Sequence, residues 1–206
     1  MLFENREKFK KTEIKTGQFF SKFGLTPNQY TLISLLFVVI SFSFLINLNL
    51  VLALIFFLLA AFLDFIDGAV AKFAKKETKK GAYLDTICDR YVEGIILLGF
   101  LFLPLADFLL SAKVWIFLAL FGSFLTTYSK AAAKEKGLIE IEMKKGLLGR
   151  AERIILIFLA MLLGIFNLFW IIYPIVILAI FSNITALQRI YLALRHPSEA
   201  KSEDEL

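Results

Sequence analysis

The sequence predicts an all-α, polytopic membrane protein: six transmembrane helices preceded by an amphipathic helix lying on the cytoplasmic interface. Three observations predict it. The chain of 206 residues is 59% apolar, holds 23 phenylalanines and has a mean hydropathy of +0.75, whereas a soluble domain is nearer half apolar. The apolar residues come in long unbroken runs rather than in an alternating pattern. Basic residues gather in every second loop.

Residues 3–23 come first. Phe9, Phe19, Phe20 and Phe23 share one helical face flanked by Lys8, Lys11, Lys15 and Lys22, while Ile14 points elsewhere. This is the pattern of a helix resting on a membrane surface. "GLTPN" ends it: Gly24 suits a helix terminus, and Thr26 followed by Pro27 suits a new helix start. The spans expected after it are 28–47, 50–73, 82–103, 114–134, 150–166 and 169–194, each near the roughly 20 residues that cross the hydrocarbon. "NLNL" leaves room only for a hairpin turn between the first two, and Pro174 is expected to kink the last. Three segments result: an interfacial helix over 1–24, a membrane domain over 25–195 and an acidic tail over 196–206, expected to be disordered.

Charge sets the orientation. Arg6, Lys8, Lys10, Lys11, Lys15 and Lys22 precede the first span. More basic residues lie in the 72–80 loop, between Lys130 and Arg153, and at Arg189 and Arg195. The alternate loops, around 47–49, 104–113 and 167–168, hold only Asp107 and Lys113. With six spans this places both termini in the cytoplasm of a multi-pass cell-membrane protein. The net charge of +5 then reflects topology and contact with anionic membrane lipid, not nucleic acid. No cleavable signal peptide is expected, because the first apolar run begins too late. The single cysteine, Cys88, excludes an internal disulfide and reads as a packing residue, and the single histidine, His196, lies in the tail. Histidine-based catalysis and zinc binding are disfavoured accordingly.

Against this background, "FLDFIDGAVAKFAKKETKKGAYLDTICDR" contains a contradiction: Asp64, Asp67, Asp85 and Asp89 all lie inside lipid-compatible stretches. An ionised carboxylate there costs several kcal/mol. Asp64 and Asp67 are three apart, and Asp85 and Asp89 four apart, so each pair occupies one helical face. One pair closes a span and the other opens the next, so both lie at similar depth near the cytoplasmic side. Four hard oxygen donors fit Mg²⁺ or Mn²⁺, and two such ions offset four negative charges. Gly68 and Gly81 leave room for close approach. Acids that merely pair with lysines would also account for the charges, as would the ion site of a cation transporter. Transporters often carry mirrored halves and midplane sites, whereas these acids cluster near one face and no repeat is visible.

The pattern Asp64-x-x-Asp67-Gly68-x-x-Ala71-Lys72, eight residues, then Gly81-x-x-x-Asp85-x-x-x-Asp89 resembles the signature of the CDP-alcohol phosphotransferase family. Lys72 stands where that family usually has arginine. The resemblance covers most of the chain except the acidic tail. It implies a metal-dependent transferase of phospholipid biosynthesis that moves a phosphatidyl or archaetidyl group from a CDP-linked lipid donor to an acceptor hydroxyl, releasing CMP. Asp64, Asp67 and Asp85 would ligate the metals, and Asp89 would share in metal binding and act as the general base. Asn28, Gln29, Tyr30, Thr31, Gly68, Lys72 and Thr78 fall where the family holds the CDP-lipid, although Asn28 and Thr31 suit helix capping equally.

"YSKAAAKEKGL", "GLLGRAERIIL" and "LQRIY" are similar to the phosphatidylinositol phosphate and archaetidylinositol phosphate synthase branch. In that branch Lys130, Arg150, Arg153 and Arg189 match positions that bind the acceptor phosphate, which makes inositol 1-phosphate the expected phosphorylated polyol. Ala132 replaces a further arginine there, with Lys134 as a substitute cation. Glycerol 3-phosphate, serine and free inositol remain alternative acceptors, and Lys130, Arg150, Arg153 and Arg189 also suit plain positive-inside loops. The resemblance also implies a homodimer. Arg90 and Glu93 are expected to pair with each other, and Asn183 to hydrogen-bond a neighbouring helix.

Overall fold

A computed structural model describes residues 13–75, 78–139 and 146–195. The expectations for Phe9, the first basic residues and the acidic tail lie outside these. The described residues are helical apart from short turns and one isolated bridge, Phe108 to Leu110. Helix α1 is described over 13–20. It continues as a 3₁₀ turn, Ser21–Phe23, which Gly24 closes at φ 72°. After it come α2 (Pro27–Ile46), α3 (Leu50–Phe73), α4 (Lys79–Phe100), α5 (Ala112–Glu135), α6 (Arg150–Phe166) and α7 (Ile172–Arg195). They fall into two compact units, Met1–Gly99 and Phe100–Leu206.

In the first unit, a reciprocal capping box starts α2. The Thr26 side chain accepts from the Gln29 amide, and Gln29 Oε1 accepts from the Thr26 amide at 2.8 Å. Two donors that would otherwise lack partners are thereby satisfied. Capping thus falls to Thr26 and Gln29, which leaves Asn28 and Thr31 for other work. The turn between α2 and α3 is as tight as "NLNL" demands, with Leu48 at φ 58° and the Asn49 side chain capping α3 through the Leu52 amide.

Hydroxyls hold the α2–α3 hairpin together: Ser34 Oγ donates to the Ala60 carbonyl at 2.9 Å and Ser41 Oγ to that of Ala53 at 2.7 Å. Such bonds supply what apolar burial cannot supply in lipid. Gly99 brings α4 close to α2; a Cβ there would lie 2.6 Å from a Leu45 methyl. Phe20, Leu25 and Leu63 cover a small core of Tyr30, Ile66 and Val70.

In the second unit, α5 and α7 approach closely where Gly122 meets Asn183. Asn183 Nδ2 donates to the Leu118 carbonyl at 2.8 Å, the interhelical bond expected of it, and Thr126 Oγ1 lies 3.0 Å from the Ser182 carbonyl. Pro174 falls in the first turn of α7. It is the third residue of α7, just after the 3₁₀ turn Leu168–Ile171, and in a first turn the missing N–H breaks no intrahelical bond.

Among the described residues, four stretches are long and apolar enough to cross a membrane: Pro27–Ile46, Leu50–Phe73, Ala112–Glu135 and Leu168–Arg195. Exposed Leu32, Leu36, Leu58, Phe117, Phe121, Ile177 and Leu187 form the apolar exterior of a membrane protein. Helices α4 and α6 fall short of that standard for different reasons. Helix α4 carries Lys79, Lys80, Asp85, Asp89, Arg90 and Glu93, while α6 is only 17 residues long.

Candidate active site

The last turns of α3 and the first turns of α4 bring the acidic pairs together. Carboxylate oxygens of Asp64, Asp67 and Asp85 all lie within 4.8 Å of one another. The i, i+3 spacing aims the first two from one face of α3, and the Thr78 side chain caps the start of α4, accepting from the Gly81 amide at 3.0 Å. Asp67 is the most enclosed of the three. It is 7% exposed and accepts a 2.6 Å hydrogen bond from Thr31 Oγ1, itself 5% exposed. A short bond to a carboxylate is among the stronger hydrogen bonds available to a side chain.

A cavity of about 200 Å³ opens beside this cluster, lined by Asn28, Thr31, Asp67, Gly68, Lys72 and Asp85, with Pro27, Ala71, Thr78, Gly81 and Ala82 completing the wall. Two glycines shape it. A Cβ on Gly81 would lie 3.1 Å from Thr78 Oγ1 and 3.2 Å from Asn28 Oδ1, whereas a Cβ on Gly68 would meet nothing within 4 Å. Gly81 therefore lets α4 close against the start of α2, and Gly68 leaves space open inside the cavity.

Three carboxylates at this separation fit a hard divalent cation. They supply the hard oxygen donors that such an ion takes, and the open space at Gly68 adjoins Asp67 and Asp85. Asp89 stands outside the trio. It is 8% exposed and 4.0 Å from Arg90 Nη2, which pairs with Glu93 at 3.0 Å as expected. Cys88, between the acids, is buried as a free thiol.

Of the other residues singled out in the sequence, Asn28, Thr31, Gly68, Lys72 and Thr78 line the cavity. Gln29 and Tyr30 lie outside that lining. The Gln29 amide is engaged in the capping box, and the Tyr30 ring is 3% exposed, its hydroxyl donating to the Phe20 carbonyl at 2.9 Å. One residue had no signal in the sequence: Glu13 on α1, whose Oε1 lies 2.5 Å from Lys72 Nζ. Fifty-nine positions separate the two, and no local spacing rule links them.

Lys130, Arg150, Arg153 and Arg189 lie in the second unit. Arg189 Nη1 donates to the Thr126 carbonyl at 2.8 Å, one helical turn before Lys130. The segment leading into Arg150 is fixed to α7, because the Leu148 amide donates to Thr185 Oγ1 at 3.0 Å and the Leu147 amide to Gln188 Oε1 at 3.2 Å. Arg153 is 2% exposed. The four cations thus come from neighbouring ends of α5, α6 and α7.

A carboxylate cluster of one buried and two half-buried members, carried on two successive helices beside an open cavity, has the donor set of a metal-dependent phosphoryl-group transferase embedded in a membrane. The model of the CDP-alcohol phosphatidyltransferase family matches residues 24–185, and the chain belongs to that family. It is 36% identical over 194 residues to the archaetidylinositol phosphate synthase of Pyrococcus horikoshii, covering 94% of this chain and 96% of that one. Its fold is similar to that of the phosphatidylinositol phosphate synthase of Mycobacterium tuberculosis. The structure of that enzyme with CDP-DAG bound has a TM-score of 0.77 at 23% identity, covering 90% of this chain and 95% of that one. The structure of its complex with manganese and citrate has a TM-score of 0.79 at 24% identity, covering 90% of both chains.

Proposed function

We propose that this CDP-alcohol phosphatidyltransferase moves the phosphatidyl or archaetidyl group of a CDP-linked lipid onto a hydroxyl of inositol 1-phosphate, releasing CMP. The observation that carries the reading is the cluster of Asp64, Asp67 and Asp85 within 4.8 Å beside a cavity lined by polar groups. Asp64, Asp67 and Asp85 would hold two Mg²⁺ or Mn²⁺ ions, with Asp89 sharing in the coordination. When bound, such ions neutralise the diphosphate oxygens and the charge that develops as the bond to CMP breaks. Thr31 keeps Asp67 oriented for this. Asn28 and Thr78 offer polar groups to the cytidine nucleotide, and Lys72 offers a cation to the diphosphate. Asp89 accepts the proton of the acceptor hydroxyl. Gln29 and Tyr30 serve the donor indirectly, by shaping the start of α2.

Lys130, Arg150, Arg153 and Arg189 would recognise the acceptor's phosphate, since several convergent cations favour a doubly charged group over a neutral polyol. The similarity to an archaetidylinositol phosphate synthase supports the same acceptor. Six spans fit the alternation of charge best. Helix α4 can cross despite its charges because Lys79 and Lys80 lie in its first turn, Asp85 belongs to the acidic cluster and Arg90 pairs with Glu93, and the 17 residues of α6 reach the lower limit for crossing. Both termini are then cytoplasmic, residues 25–195 form one membrane domain flanked by interfacial and tail segments, and the enzyme works as a homodimer.

The test is purified protein with Mg²⁺ and a radiolabelled CDP-linked lipid. CMP release that requires inositol 1-phosphate supports the reading; release with serine or glycerol 3-phosphate alone overturns the acceptor, and none with any acceptor overturns the reaction.

A further inference from the structure

We propose that Glu13 is a positioning residue for the donor: it holds the Lys72 ammonium at the cavity so that the cation meets the diphosphate of the CDP-linked lipid. This rests on the proposed function and adds a residue that the sequence did not indicate.

Lysine carries its charge as a point on a flexible stem, whereas arginine presents a rigid fork. Lys72 lines the cavity, yet its side chain is 55% exposed. An exposed lysine at a binding site loses much of its effect to conformational freedom, because ordering such a side chain costs up to about 2 kcal/mol. The structure supplies a restraint. Glu13 Oε1 lies 2.5 Å from Lys72 Nζ, and the Glu13 side chain is only 20% exposed.

The carboxylate comes from a seated helix. Gly17, one turn after Glu13, lies directly against the Ala69 carbonyl and Phe73 of α3, where a Cβ would clash with both. Phe20, a turn further on, packs against Tyr30 and Phe62 and accepts the Tyr30 hydroxyl proton through its carbonyl. Helix α1 is therefore fixed on the same turns of α3 that carry Asp67, Gly68 and Lys72. An ammonium has three N–H donors; one bond to Glu13 leaves two for phosphate oxygens.

The experiment is a double-substitution cycle on the full-length protein in detergent, reading KM and kcat for the CDP-linked lipid, together with direct binding of CDP. Glu13→Gln removes the charge and leaves the Gly17 seat intact. It should raise KM and weaken CDP binding about threefold to fivefold, the scale of a partly exposed ion pair, while kcat and Tm stay at the wild-type value. In a Lys72→Arg background, where the fork is already organised, Glu13→Gln should change KM by less than about twofold.

An equal rise in both backgrounds overturns the proposal, because Glu13 would then act through α1 packing and not through Lys72. A fall in KM overturns it as well, because Glu13 would then compete with the diphosphate. If the wild-type protein turns over donor and Glu13→Gln matches it, the inference fails alone. If the wild-type protein does not turn over donor at all, the proposed function fails with it.

Discussion

Thr31 Oγ1 donates to Asp67 Oδ2 across 2.6 Å, from the second turn of α2 to the last third of α3, with both residues almost fully buried. The bond fixes the orientation of the most enclosed carboxylate in the cluster. Removing a hydrogen bond to a charged group costs about 1.5–3 kcal/mol. Thr31→Val, which keeps the shape and removes the donor, should therefore raise the Mn²⁺ concentration at half-saturation at least about tenfold, read by isothermal calorimetry. Thr31→Ser should stay close to the wild-type value.

Asp67 and Asp89 should separate by assay. Asp67→Asn should abolish Mn²⁺ binding and CMP release together. Asp89→Asn should leave most Mn²⁺ binding in place and cut CMP release by about 10²–10⁴, the usual loss when a general base is removed. An Asp89→Asn enzyme with near-normal turnover would exclude the base role.

Two glycines on different helices should respond oppositely to alanine. At Gly122 a Cβ would lie 2.8 Å from the Asn183 backbone nitrogen, and overpacking of that kind costs about 1–3 kcal/mol. Gly122→Ala should therefore lower Tm in detergent. At Gly68 the Cβ would enter open space, so Gly68→Ala should hold or raise Tm, since alanine favours a helix by about 1 kcal/mol. The same methyl narrows the cavity, and donor KM should rise.

Chelation offers a simpler check. EDTA should stop CMP release without unfolding the helices, because the interhelical bonds of Ser34, Ser41 and Thr31 use no metal. Adding back Mg²⁺ or Mn²⁺ should restore the rate, while Ca²⁺, with its looser and larger coordination, should restore far less. Circular dichroism and CMP release on one sample measure both.

What could be read from the sequence divides along physical lines. The α2–α3 turn, the Gly24 terminus, the Thr26–Pro27 start and the Arg90–Glu93 pair are all local, and helical spacing or turn chemistry fixes them. The acidic trio was legible because two short-range spacings and one short loop were enough to bring Asp64, Asp67 and Asp85 together. Contacts across long separations carried no such signal: Thr31 with Asp67, Glu13 with Lys72, and Arg189 with the Thr126 carbonyl depend on how whole helices pack. Pro174 falls in the first turn of α7, and a proline's effect depends on its position in the helix. That position is set by the 3₁₀ turn at Leu168–Ile171, which hydropathy does not resolve.

The serine bonds between α2 and α3 bear on the order of assembly during synthesis. Residues 27–73 already contain both partners of every one of these bonds, so this hairpin can pair in the bilayer as soon as it leaves the ribosome. At that stage it carries Asp64 and Asp67 but not Asp85. A nascent chain halted after Phe73 would be paired yet nearly blind to manganese, and capture of the ion would mark the arrival of the next helix.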